Sequence, residues 1–148
     1  VTDFGADLQV LIDDMVETMR EAPGVGLAAP QVNVAQRVIV VEYGDEEDEQ
    51  APARLYTVVN PEIVRPSQET EKGTEACLSI PGFLGEVERV SSLTVKGQNC
   101  HGQPIRIKAK GWLARIFQHE IDHLDGVLFT DRALWVRKIE DGEEVPLD

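Results

Sequence analysis

Gln118-His119-Glu120-Ile121-Asp122-His123-Leu124-Asp125-Gly126 decides how this chain is read. It contains His-Glu-x-x-His. At about 3.6 residues per turn, His119 and His123 fall on one helical face, one turn apart. Two imidazoles so placed can hold a single metal ion, and Glu120 beside them can take a proton from water activated there. Leu113, Ile116, Phe117, Ile121 and Leu124 flank the motif at helical spacing. The helix predicted over residues 111–124 is therefore central to the core rather than a solvated surface helix. The pattern alone gives a hydrolytic metal site that lacks a third ligand.

Outward from this helix, the rest of the chain reads as helix, short strands, helix. Leu8, Leu11, Ile12, Met15, Val16 and Met19 mark an amphipathic helix over residues 6–21. Asp3 or Asp7 is the expected cap, and Pro23-Gly24 the stop. Residues 24–31 read as a small-residue loop. Residues 37–42 read as a buried strand, and 55–64 as strand, Asn60-Pro61 turn and strand. Further strands are expected at 86–90, 93–97 and 105–109, with a last short one at 127–129. The expected fold is α+β: mainly antiparallel, short-stranded sheets packed around the metal-carrying helix, with the amphipathic helix at the N-terminus. With 148 residues and no internal repeat, residues 1–148 are expected to form one catalytic domain.

Composition narrows the function classes. The formal charge of −13 disfavours direct nucleic-acid or anionic-membrane binding. No apolar run approaches the roughly 20 residues of a membrane span. The first residues carry neither a basic region nor an apolar signal core, so secretion is not expected. The acidic run 42–49 reads as a solvated loop and the tail 141–148 as frayed.

The third ligand has two sources among the cysteines. Cys77, in Glu75-Ala76-Cys77-Leu78-Ser79-Ile80-Pro81-Gly82, would give a thiolate and two imidazoles with one position open. A cysteine alone is more often a buried small hydrophobe, but beside His-Glu-x-x-His the ligand reading is favoured. Cys100-His101 competes, yet adjacent residues in a tight turn rarely point at one metal.

Three segments in order, Gly24-Val25-Gly26-Leu27-Ala28-Ala29-Pro30-Gln31, Glu75 to Gly82 and Gln118 to His123, resemble the signature motifs of the peptide deformylase family of bacterial and organellar type. The resemblance covers nearly the whole chain. It implies that Cys77, His119 and His123 hold the metal and that Glu120 is the catalytic acid/base. It implies that the Gln31 amide and the Leu78 backbone N–H bind the oxyanion, and that Gly26 pairs with the substrate chain. Val25, Glu75, Trp112 and Ile116 match positions around a pocket for a methionine side chain. The implied cofactor is one divalent ion, Fe2+ in the first place, with Zn2+, Ni2+ or Co2+ accommodated by the same ligands. The implied activity is removal of the N-formyl group from N-formylmethionine of nascent polypeptides, releasing formate, in the bacterial cytoplasm or an organellar matrix or stroma. Two alternatives are a non-catalytic deformylase-like peptide-binding protein and a His-Glu-x-x-His metallopeptidase. Binding without turnover would mark the first, and cleavage of an internal peptide bond the second.

The chain departs from the family pattern in three places. Ala76 stands where the second motif has glycine, and activity is expected to survive the extra methyl. The chain begins almost at its first helix, so a short preceding edge element is expected to be missing, at a cost in stability. No long basic C-terminal helix follows the last motif, so ribosome docking by such a helix is not expected, although proximity to the ribosome is.

Overall fold

The computed structural model describes residues 1–44 and 52–143. Helix α1 (Ala6–Glu21) matches its expected span and buries Leu8, Ile12, Met15 and Met19. Its cap differs from expectation. Gly5 occupies the cap position with no side-chain hydrogen bond to the helix, and Asp3 Oδ1 instead accepts the Gly5 N–H at 2.9 Å. Asp7 lies inside the first turn, where its charge complements the helix dipole. The Gly24 N–H closes the far end on the Met19 carbonyl at 2.8 Å.

Strands β1 (Gly26–Ala28), β2 (Val38–Tyr43), β3 (Arg54–Val64), β6 (Ser92–Gln98) and β7 (Pro104–Lys110) form an antiparallel sheet in the order β1-β2-β3-β6-β7. Strands β4 (Thr70–Cys77), β5 (Ile80–Val90) and β8 (Trp135–Lys138) form a second, ordered β4-β5-β8. Helices α2 (Gly111–Leu124) and α3 (Phe129–Arg132) complete the set.

Val38, Ile39, Val40 and Val41 of β2 are all fully buried, which explains why this strand shows no apolar–polar alternation. Side chains alternate across a strand. Val38 and Val40 join the cluster under α1, while Ile39 and Val41 join the cluster under α2 with Ile116, Phe117 and Ile121. The larger sheet thus lies between two helices. Burial of each such side chain stabilises the fold by roughly 1.5–3 kcal/mol. Leu113 and Leu124 are only partly buried.

Several local expectations are corrected. Residues 55–64 are one strand, not two. The register slips between Val59 and Glu62, and Asn60 absorbs the irregularity at φ 54°. Asparagine tolerates this left-handed geometry, and its amide also donates to Gln98 Oε1 at 2.7 Å and the Val1 carbonyl at 2.8 Å. The segment 24–31 is not a plain loop: it contains β1 and then a 3-10 turn over Ala29–Val32. Strand β4 was not expected, and β5 starts six residues before the expected 86. Residues such as Thr70, Glu71 and Lys72 are exposed, so pairing with β5, not burial, makes this segment a strand.

The expected strand at 127–129 is instead the entry to α3. The Leu128 N–H bonds Asp131 Oδ2 at 2.9 Å, which starts a helical turn at the buried Phe129. Strand β8, also unexpected, is exposed at all four positions. Within the acidic run, Glu42 and Tyr43 belong to β2, and Glu42 accepts two hydrogen bonds from Arg20. Residues 45–49 of that run and 144–148 of the tail lie outside the described residues. In the described part of the tail, Glu143 pairs with Arg137.

Candidate metal centre

Helix α2 carries an unusual load: Arg115, Gln118, His119, Glu120, Asp122 and His123 are all buried. Buried polar groups need partners, and most of these find theirs on the smaller sheet. His119 and His123, four residues apart, bring their Nε2 atoms to 3.2 Å with ring planes at 74°. Cys77 ends β4 at a two-residue hairpin turn, where it pairs with Ile80. That turn aims Cys77 Sγ at His123 Nε2, 3.3 Å away. The three ligand atoms all lie within 4.8 Å of one another. One borderline-soft divalent ion fits this donor set of one sulfur and two imidazole nitrogens.

The orientation of His119 supports the same fit. Its Nδ1 lies 2.9 Å from Glu75 Oε1, so in the neutral, ligating form the proton belongs on Nδ1 and the Nε2 lone pair faces Cys77 and His123. Glu75 is itself held by a guanidinium fork from Arg89, at 2.9 and 3.0 Å, and by Arg115 Nη1 at 2.6 Å. Burial would raise the Glu75 carboxyl, but the His119 and Arg89 hydrogen bonds and their charges outweigh it and hold the pKa at about 2. Burial likewise opposes charge on His119, yet hydrogen bonds to Cys77 and Glu75 and the charges of Glu120 and Glu75 lift it well above the usual histidine range. His123 goes the other way, to about 4, through burial and the adjacent His119 charge. Two imidazoles in contact do not both take up the second proton and its positive charge.

Asp122 and Phe129 fasten the helix from the other side. Arg89 Nη1 reaches Asp122 Oδ2 at 2.6 Å, and Arg132 of α3 binds both Asp122 oxygens at 2.7 and 2.9 Å. The Phe129 ring stacks on His119 at a centroid distance of 6.3 Å.

Glu120 is 1% exposed and lies against β1. A Cβ at Gly26 would stand 2.3 Å from Glu120 Oε2, so only glycine allows this approach. Gln31 sits in the 3-10 turn. Its Oε1 accepts the Ala28 N–H at 2.9 Å, which leaves Nε2 to donate to Ser79 Oγ at 3.0 Å, with Cys77 Sγ at 3.7 Å. Leu78 is exposed at the hairpin turn beside the thiol. The structure therefore gathers Gly26, Gln31, Cys77, Leu78, His119, Glu120 and His123 into one neighbourhood.

The remaining expected site residues are placed less uniformly. Val25 and Trp112 are half-buried against the α2 core, and Ile116 is a buried member of it. Glu75, expected beside a side-chain pocket, turns its carboxylate to His119, Arg89 and Arg115. Ala76 is buried at the register irregularity between Glu75 and Cys77. The competing pair separates: Cys100 packs towards α1, His101 is exposed, and among the described residues neither joins a metal-ligating group.

Sequence reading missed Arg89, Arg115, Asp122 and Phe129. For two of them a signal was present. Arg115 and Asp122 lie four residues before and three after His119, on the inward face of a helix already recognised as central.

Residues 1–138 match the family model described as polypeptide deformylase. A peptide deformylase of Symbiobacterium thermophilum is 52% identical over 145 residues, covering 97% of this chain. The chain spans 64% of that relative's length. A peptide deformylase of Halothermothrix orenii is 48% identical over 98% of this chain and 86% of its own. Among solved structures, the Thermotoga maritima peptide deformylase superposes with a TM-score of 0.82 at 44% identity, covering 90% of this chain and 85% of its own. The Synechococcus elongatus enzyme, in complex with actinonin, gives 0.80 at 45% identity, covering 90% and 71%.

Proposed function

The chain belongs to the polypeptide deformylase family, and from that premise we propose that it hydrolyses the N-formyl group of formylmethionyl peptides, releasing formate. The observation that carries this reading is the meeting of Cys77 with His119 and His123 beside a buried Glu120. The chemistry a divalent cation supplies there, when bound, is Lewis acidity, which acidifies water and polarises a carbonyl oxygen. Cys77, His119 and His123 would hold it. Iron(II) is the finer assignment; it rests on family resemblance, and the ligand set accommodates it as well as zinc, nickel or cobalt.

The other steps belong to the chain's own residues. The Glu120 carboxylate accepts the proton of the attacking water and passes it to the leaving amine. The Gln31 Nε2 amide and the Leu78 backbone N–H donate to the oxygen that becomes negative in the tetrahedral state. Gln31 is preorganised for this because Ala28 fixes its Oε1. Strand β1 lies at the edge of its sheet, so the peptide pairs beside Gly26 as an added strand. Val25, Trp112 and Ile116 flank the apolar first side chain. The compartment proposed is the one in which formylated chains are made, a bacterial cytoplasm or an organellar matrix or stroma.

Formate release from formyl-Met-Ala-Ser by protein loaded in turn with iron(II), nickel and cobalt tests the reading. Turnover is expected with each, and none with any of them would sink it. Analysis of the metal content of freshly isolated protein tests the iron assignment.

A further inference from the structure

Arg115 has no place in the proposed chemistry, yet it is built into the site. The residue is 5% exposed, and its guanidinium makes three short contacts: Nη1 to Glu75 Oε2 at 2.6 Å, Nη1 to the Val87 carbonyl at 2.9 Å, and Nη2 to the Glu71 carbonyl at 2.7 Å. One face turns to the Trp112 ring, 5.5 Å away. The group also lies directly over Gly73 of β4, where a Cβ would meet Cζ at 2.8 Å and Nε and Nη2 at 3.0 Å. Gly73 has no positive φ, so its backbone does not require glycine. The space above it does.

We propose that Arg115 and Gly73 form a positioning pair that sets the metal ligand His119 through Glu75. The inference rests on the metal-site reading above. Glu75 takes His119 Nδ1 on Oε1 and Arg115 on Oε2, so the carboxylate is fixed at both ends. Arg89 also binds Glu75, but it is shared with Asp122. Arg115 is the partner that anchors Glu75 to the backbone of both β4 and β5. A planar fork does this; a lysine, with one nitrogen, cannot span the Glu75, Val87 and Glu71 oxygens together. Gly73 leaves the room in which the fork lies.

Cobalt(II) affinity, measured by competition with a chromophoric chelator, and the cobalt absorption spectrum test this without turnover. Arg115→Met is expected to bind cobalt about 10–100-fold more weakly, the range for residues that orient a ligand from behind. Arg115→Lys should recover part of the loss. Gly73→Ala, which keeps the Arg115 side chain but displaces its guanidinium, should weaken binding in the same direction. It should have no further effect in the Arg115→Met background, and Arg115→Met none beyond Glu75→Gln. Wild-type affinity and spectrum in a folded Arg115→Met protein overturn the proposal, as do losses that add independently. Where Arg115→Met does not fold, Arg115→Lys and Gly73→Ala decide by the same readouts. Wild-type protein that binds cobalt but releases no formate sinks the functional reading and leaves this one standing.

Discussion

Substituting Gly26 by alanine tests whether Glu120, the proposed acid/base, is held by the close approach of β1. The added methyl would lie 2.3 Å from Glu120 Oε2 and 2.9 Å from both Cδ and Cγ. Glu120 is 1% exposed, so relieving the clash means moving a buried carboxylate. Overpacking of this kind costs about 1–3 kcal/mol, and contacts with three atoms put it near 3. Alanine returns about 1 kcal/mol by restricting the unfolded chain, because Gly26 has no positive φ for it to strain. The net loss is about 2 kcal/mol, or roughly 4–8 °C in melting temperature for a chain of this size. Activity falls further, by about 100-fold in kcat, because a displaced carboxylate forfeits much of the 10²–10⁴ that acid/base catalysis supplies. The decisive assay is thermal unfolding of four proteins: wild type, Gly26→Ala, Glu120→Ala and both together. Glu120→Ala removes all three clashing atoms, so Gly26→Ala in that background should cost nothing or stabilise. An equal drop in both backgrounds would refute the reasoning and put the cost in the β1–β2 backbone instead.

Other substitutions separate the remaining parts. Gln31→Ala should lower kcat by about 10²–10³-fold with little change in KM, since in the proposed mechanism its amide acts on the tetrahedral state and not on the bound peptide; steady-state formate release reads both. Phe129→Ala should destabilise by about 3–5 kcal/mol in denaturant unfolding, because a buried ring stacked on His119 leaves a cavity. The Glu75 pKa is depressed from 4.5 to about 2, so the unfolded chain binds the proton more tightly. The stability this carboxylate contributes is therefore complete above pH 4.5 and lost as pH falls towards 2; unfolding of Glu75→Gln followed across that window should lack this slope. Iron-loaded protein should lose activity in air faster than nickel-loaded protein, through oxidation at Cys77; equal half-lives would count against it.

The readable parts of the chain were those where one residue type leaves little choice. Helices α1 and α2 follow from apolar spacing alone, and their bounds agree with the expected 6–21 and 111–124. The grouping of Cys77 with His119 and His123 was expected from side-chain chemistry, and the structure brings their donor atoms within 4.8 Å of one another. Strands β4 and β8 were illegible for a physical reason. Thr70 to Lys72 and Trp135 to Lys138 are exposed, so no apolar alternation records their pairing with β5. The Asn60-Pro61 pair misled because a left-handed asparagine serves a strand irregularity as well as a turn. The role of Glu75 was hidden for another reason: sequence shows that a carboxylate precedes the cysteine, but not which cations the fold brings to it.

That last point explains why the site sits where the two sheets meet. A helix that turns Arg115, His119 and Asp122 inward cannot pack on an apolar sheet without leaving buried charges exposed to a low dielectric. The smaller sheet resolves this by presenting Glu75 and Arg89, one to each side of the row. Glu75 receives Arg115 and His119; Arg89 joins Glu75 to Asp122; Arg132 closes the end. The cost of burying these charges is recovered in position: the His119 imidazole and the Glu75 carboxylate are held in one orientation by Arg115 and Arg89. The same contacts also dock the smaller sheet on α2. A substitution in this row should therefore weaken metal binding and sheet docking together, whereas one in the apolar cluster under α1 should lower stability while leaving cobalt affinity unchanged.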